Sequence, residues 1–372
     1  MADFIPVNTP LLDGNEKKYL LECIDTGWIS SEGPFVREFE QRFSTRMERK
    51  HGIAVANGTA ALDAAIEACG IGAGDEVIMP AFTIISCVGQ LVRSGAVPVL
   101  VDADPLTWNM DVGQIEAKIT ARTKAIMAVH IYGLPVDMDP LLELARRHNL
   151  LVIEDAAEMH GQTYKERACG SFGDISTFSF YPNKHITTGE GGMILVDDEK
   201  LANTCRDLRN LCFQAGKRFV HERLGWNLRM TNLQAGLGLA QLERLDEFVV
   251  RKRKMGKYYT EMLAGIDGLQ LPVVRTDYAE NIYWVYGLVI DESRGMDAET
   301  AMRKLEDKGI GTRPFFYPMH KQPVLQRMEF FSGENYPVSE RLYQQGFYIP
   351  SGLALTEGQM ERVADEIKRI FV

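Results

Sequence analysis

The sequence predicts an α/β protein built on a mostly parallel sheet, with a smaller α+β domain toward its C-terminal end. Three observations carry this expectation. Short runs in the first two-thirds of the chain are continuously apolar rather than alternating, as in strands buried on both faces of a parallel sheet. Helical segments separate those runs, and such alternation calls for a layered sheet with right-handed crossovers. The chain has 372 residues, enough for about two domains at roughly 150 residues each.

Taken in order, an early strand ends near Ala56, and further strands are expected at 76–80, 97–101, 124–132, 150–154, 174–180 and 192–196. Helices are expected at 59–69, 139–148 and 200–212. Residues 239–263 read as one long, amphipathic, highly charged helix that bridges two domains. Beyond it, 281–291 and 312–316 read as strands, with helices at 298–308 and 357–371. The division is therefore expected at 245: a large domain over 1–245, including an N-terminal arm, and a small one over 246–372.

Composition narrows the function. Hydrophobic residues make up 45% and charged residues 25%, a balance that argues for a folded globular chain rather than disorder. The formal net charge is −10, whereas nucleic acids and anionic membranes call for a basic face, so neither partner is expected. No apolar stretch reaches the ~18 residues of a membrane-spanning helix. Residues 1–6 lack a basic segment followed by an apolar one, so no leader is expected and the location is taken as cytoplasmic. The cysteines at 23, 69, 87, 169, 205 and 212 form no C-x-x-C pair and sit at no metal-ligand spacing from histidine, so neither a metal nor a disulfide is assigned.

Ligands of open α/β sheets bind beyond the carboxyl ends of the strands, and three strand ends carry chemistry here. After Ala56 comes Asn57-Gly58-Thr59-Ala60, a glycine turn opening a helix, whose free N–H groups suit a phosphate. Alone, that turn reads first as a simple N-cap by Thr59. The strand at 150–154 runs directly into Asp155-Ala156-Ala157-Glu158. A carboxylate there is a structural ion pair, a cap, or the partner of a protonated ring nitrogen. The stretch 178–192 (FSFYPNKHITTGEGG) sets Lys184 in a loop between two buried strands, among glycines that let a bulky ligand approach the backbone. A desolvated lysine is what Schiff-base chemistry needs. Phosphate turn, strand-end carboxylate and loop lysine together match the requirements of pyridoxal phosphate. His185 beside Lys184 reads as structural at least as readily as a catalytic base.

At these residues the chain resembles the DegT/StrS family of nucleotide-sugar aminotransferases, which use pyridoxal phosphate. The likeness runs nearly end to end, through NGTAAL at 57–62, GDEVIMP at 74–80, IEDAAE at 153–158, TFSFYPNKHITTGEGGM at 177–193, NLRMTNLQA at 227–235, RPFFYPMH at 313–320 and YIPSGLALTEGQ at 348–359. It implies the aspartate-aminotransferase-like fold, that of the type I pyridoxal-phosphate transferases. Lys184 is similar to the lysine that holds the cofactor covalently and then shuttles a proton. Asp155 is similar to the aspartate that keeps the pyridine nitrogen protonated. Gly58, Thr59, Ala60 and Ser179 match the phosphate-binding positions, and Glu158 a position near the ring and its hydroxyl. Asn227 resembles an asparagine that reaches the phosphate of the neighbouring subunit, which implies a homodimer with shared sites. Trp28, Ser30, His185, Arg313 and His320 match segments that line the substrate pocket.

Two departures bear on the reading. Many relatives have an aromatic where this chain has Ile84, so either Phe82 or Ile84 is expected to cover the ring. The run Tyr181-Pro182-x-x-His185-Ile186-Thr187 is also similar to a 3-dehydratase branch that uses the pyridoxamine form. That branch has histidine where this chain has Lys184, and the lysine favours transamination. The closing motifs resemble the branch that aminates C4 of GDP-4-keto-6-deoxy-D-mannose with L-glutamate, passing through pyridoxamine phosphate, for surface polysaccharides such as O-antigens. A UDP- or dTDP-linked keto sugar is the nearest alternative substrate.

Overall fold

The computed structural model describes residues 4–214 and 216–371; residues 1–3, part of the segment read for a leader, lie outside that range. Seven strands form the main sheet: β1 (His51–Val55), β2 (Glu76–Pro80), β3 (Val97–Val101), β4 (Thr123–Val129), β5 (Leu151–Asp155), β8 (Ile175–Ser179) and β9 (Gly192–Val196). The two-residue strands β6 (Thr163–Tyr164) and β7 (Arg167–Ala168) pair only with each other. The spatial order is β1-β9-β8-β5-β4-β2-β3, and only β9 runs against its neighbours. Six strands thus point their carboxyl ends to one edge.

Both faces of the sheet are covered, which explains the unbroken apolar runs. Along β2, Val77 and Met79 pack with helix Gly58–Ala68, whereas Ile78 packs on the other face with Phe39, Leu141 and Leu239. That division is the two-residue alternation of a strand with an oily environment on each side.

A second, four-stranded sheet has the order β10-β11-β13-β12, from β10 (Leu269–Gln270), β11 (Tyr286–Ile290), β12 (Arg313–Pro314) and β13 (Gly346–Ile349). Its core joins Tyr286, Leu288 and Phe347 to Ala301, Leu305, Val363 and Ile367 of the helices Ala298–Glu306 and Glu357–Phe371. The single long helix expected over 239–263 is instead two, Asn232–Leu242 and Leu245–Leu263. Thr231 and Gln234 form a capping box that starts the first helix, and Arg244 leaves helical geometry at φ −113° where it bonds to Glu247 and Asp13. Leu245 and Phe248 of the second helix pack into the large core, while Met255, Tyr259 and Leu263 pack into the small one. Ile5 also joins the small core. We therefore propose that the junction between the two units runs through this helix. Among the described residues no helix is long and apolar enough to cross a membrane.

Candidate active site

The carboxyl ends of β1, β2, β4, β5 and β8 open on a cavity of about 740 Å³. Asn57, Gly58, Thr59 and Ala60 line it from the end of β1, Thr83, Ile84 and Ser86 from the end of β2, and Asp155 and Glu158 from β5 and the turn beyond it. Ser179 lines it from the end of β8, Tyr181 and Lys184 from the β8–β9 loop, Trp284 from the segment just before Tyr286–Ile290, and Tyr348 from the strand Gly346–Ile349 of the second sheet.

The phosphate-like end is built by the backbone. Asn57 is the helix cap, its side-chain oxygen accepting from the Ala60 N–H at 2.8 Å; the cap expected at Thr59 is thus supplied two residues earlier. Thr59 instead turns its hydroxyl to Ser86, 3.0 Å away. First-turn N–H groups at Gly58 and Thr59 have no acceptor within the helix. A side chain at Gly58 would bring its Cβ within 2.8 Å of the Ser179 Cβ, so only glycine lets the turn and Ser179 converge.

Glu154 and Asp155 are neighbours on β5 and point to opposite faces. Glu154 is fully buried and accepts from Phe172 N–H at 2.9 Å, Gly173 N–H at 3.0 Å, Gly170 N–H and the Ser176 hydroxyl, with His130 Nε2 at 3.1 Å. Asp155 faces the cavity with far less: one oxygen accepts from Ala157 N–H at 3.0 Å, the other from the Cys87 thiol at 3.3 Å. Burial pushes its carboxyl above the usual carboxylate range. Each oxygen keeps a lone pair, and a protonated ring nitrogen fits that demand.

Lys184 stands 3.8 Å from Glu158 Oε1 and 3.9 Å from the centre of the Trp284 ring. Burial drives the amine below the ordinary lysine range, with Glu158 and Asp155 pulling it back. Burial likewise lifts Glu158 to about 8 against the pull of Lys184. Tyr132, in the left-handed region at φ 57°, aims its N–H at the second Glu158 oxygen, 2.6 Å away. A buried amine of lowered pKa beside a carboxyl of raised pKa gives up its proton more readily than an ordinary lysine. Amine, ring-nitrogen acceptor and phosphate cradle therefore share one cavity whose donors fit pyridoxal phosphate.

Residues 10–368 match the DegT/DnrJ/EryC1/StrS aminotransferase family. The chain belongs to that family. It is 44% identical to the GDP-perosamine synthase of Caulobacter vibrioides, covering 99% of this chain and 98% of that protein. To the GDP-perosamine synthase of Escherichia coli O157:H7 the identity is 40%, covering 99% of each. The crystal structure of an aminotransferase from Psychrobacter cryohalolentis, 30% identical, superposes with a TM-score of 0.92 over 99% of this chain and 98% of that one. A family aminotransferase of the pyridoxal-phosphate transferase fold is the result.

The structure brings Gly58, Thr59, Ala60, Asp155, Glu158, Ser179 and Lys184 to one cavity. Seven other expected positions lie elsewhere in this chain. Phe82 does not line the cavity: it is fully buried, packed on Tyr132, Phe315 and Phe316, while Ile84 lines the cavity and is 47% exposed. β2 ends at Pro80, so the two residues do not share a strand, and Ile84 already caps the next helix. His185 turns away beneath the loop, its Nδ1 3.1 Å from the His160 carbonyl, and burial holds its pKa at about 3. His320 binds Glu340 at 2.8 Å and lines a different cavity. Trp28 and Ser30 line a third cavity with Arg209 and Arg229. Arg313 is exposed on β12 opposite Tyr348. Asn227 is exposed, paired through its backbone with Asn210. Thr83, Cys87, Tyr132, Trp284 and Tyr348 were not anticipated; nothing local in their segments separates them from core residues.

Proposed function

We propose that this enzyme moves the amino group of L-glutamate to C4 of GDP-4-keto-6-deoxy-D-mannose, giving GDP-perosamine. The reading is carried by one arrangement, Lys184 and Asp155 opening with the Gly58 turn into a single cavity, in a sugar-aminotransferase chain 44% identical to a GDP-perosamine synthase along its whole length. The cofactor is pyridoxal phosphate, which supplies a carbonyl that condenses with amines and a ring that delocalises the electron pair left by a departing proton. Lys184 would hold it. Asp155 would keep its ring nitrogen protonated, and Glu158 would lie near the ring and its hydroxyl. The hydroxyls of Thr59 and Ser179 and the free N–H groups of Gly58 and Thr59 would surround the phosphate, with Ala60 beside them in the same turn.

In the first half-reaction Lys184 takes the proton from the α-carbon of glutamate. In the second it delivers a proton to C4 of the sugar, so one amine serves both directions. The Glu158 carboxyl stands 3.8 Å from that amine. Asn227, Trp28, Ser30 and Arg313, absent from their own chain's cavity, fit a homodimer in which such surfaces complete the neighbour's site. A cytoplasmic location belongs to the same reading.

The test is the product mass after incubation with pyridoxal phosphate, L-glutamate and GDP-4-keto-6-deoxy-D-mannose. Replacement of the ketone oxygen by an amine is expected, and none with Lys184→Ala. An unchanged sugar alongside glutamate-dependent bleaching of the cofactor would reject this substrate and leave an aminotransferase for another nucleotide sugar.

A further inference from the structure

Trp284 enters the cavity from the segment just before β11, and the Lys184 amine lies over the face of its ring. Its indole N–H donates to the Asn183 carbonyl at 2.8 Å, gripping the residue just before Lys184. Its own carbonyl accepts from Lys252 Nζ at 2.9 Å; this buried ammonium also donates to the Ser351 carbonyl. The ring sits among Tyr132 and Tyr348, with centroids 5.8 and 6.4 Å away. Gly133 is required beneath it: at φ 104° a side chain there would strike the Trp284 and Tyr283 nitrogens at 2.6 Å. Indole and backbone of this residue are therefore both pinned, and the pinned face meets the amine at 3.9 Å.

We propose that Trp284 is a positioning residue: its ring is the seat on which the Lys184 ammonium rests whenever the amine is not bonded to the cofactor. A lysine released during turnover otherwise gains the freedom of a four-carbon chain. The aromatic face restrains it without a directional hydrogen bond that would have to break before the next proton transfer. Glu158, at 3.8 Å, flanks the same seat. The inference rests on Lys184 being the cofactor-bearing lysine.

The groups facing Lys184 are Glu158 and Asp155 from β5 and its turn, Cys87 from the helix after β2, and the neutral His160 and His185 beside it. All are unchanged by substitution at 284. The test is competitive acetylation of the full-length, cofactor-free chain with trace acetic anhydride across pH, the extent at Lys184 read by peptide mass. A ring that seats the ammonium gives labelling midpoints in the order wild type, then Trp284→Phe, then Trp284→Leu, falling by about 0.5–1.5 pH units in all. A ring that only excludes water gives the reverse order, because a larger apolar group disfavours the charged amine more. Reversed or coincident midpoints overturn the proposal. The underlying assignment is read separately, by borohydride reduction of the cofactor-loaded wild type and mapping of the modified lysine; attachment elsewhere would remove that premise whatever the midpoints.

Discussion

Two adjacent carboxylates show how strongly placement governs chemistry. Burial alone would raise Glu154, yet the His130 contact and the N–H groups of Gly173 and Gly170 carry it down to about 2. Asp155, one residue on, has two partners and is raised. The sign for Glu154 is direct. Its folded pKa lies below the ordinary 4.5, so its stabilisation is complete above 4.5 and is lost as pH falls through 2. Glu154→Gln would turn an amide toward donors that need an acceptor. A loss of about 3 kcal/mol is expected at neutral pH, shrinking toward zero as pH approaches 2, by urea unfolding at several pH values. A pH-independent difference would contradict the charge argument.

At the scale of the element, the turn after β1 couples stability to ligand binding. Asn57 holds extended geometry and satisfies one first-turn N–H, leaving those of Gly58 and Thr59 without an intrahelical acceptor. Asn57→Ala should cost about 1 kcal/mol in urea unfolding of the cofactor-free protein. It should also weaken pyridoxal phosphate binding severalfold, because the first turn frays where the phosphate would sit. Unchanged affinity in a destabilised variant would separate the cap from the phosphate cradle.

Across the whole molecule, Lys252 is the costly joint. It lies on the helix shared by both cores, is 3% exposed and has no carboxylate partner among the described residues; burial lowers its pKa from 10.5 to about 7. Between those values the unfolded chain holds a proton that the folded one has released, so this group's contribution to stability rises with pH. Below 7 its full penalty is present. Wild type should therefore gain stability relative to Lys252→Met between pH 7 and pH 9.5, with a slope approaching about 1.4 kcal/mol per pH unit. Parallel curves for the two proteins would mean that the ammonium is hydrated in the folded state.

The sequence by itself determined the layered sheet and the three strand-end groups. Short continuous apolar runs that alternate with helical segments fit doubly covered strands, and the polar residue that ends such a run, as at Asn57, Asp155 and Lys184 beyond Ser179, emerges at the edge where ligands bind. It also pointed to helix beyond Leu239, though not to the break at Arg244. Only the tertiary structure decided what surrounds those groups. Trp284 comes from 100 residues beyond Lys184, and Cys87 reaches Asp155 across 68 positions. Contacts of that span depend on strand order and on which face each strand turns inward. The same reason removed Phe82, His185 and His320 from their own chain's cavity: adjacency along the chain fixes which residues are near, but the turn of the backbone fixes which way they point.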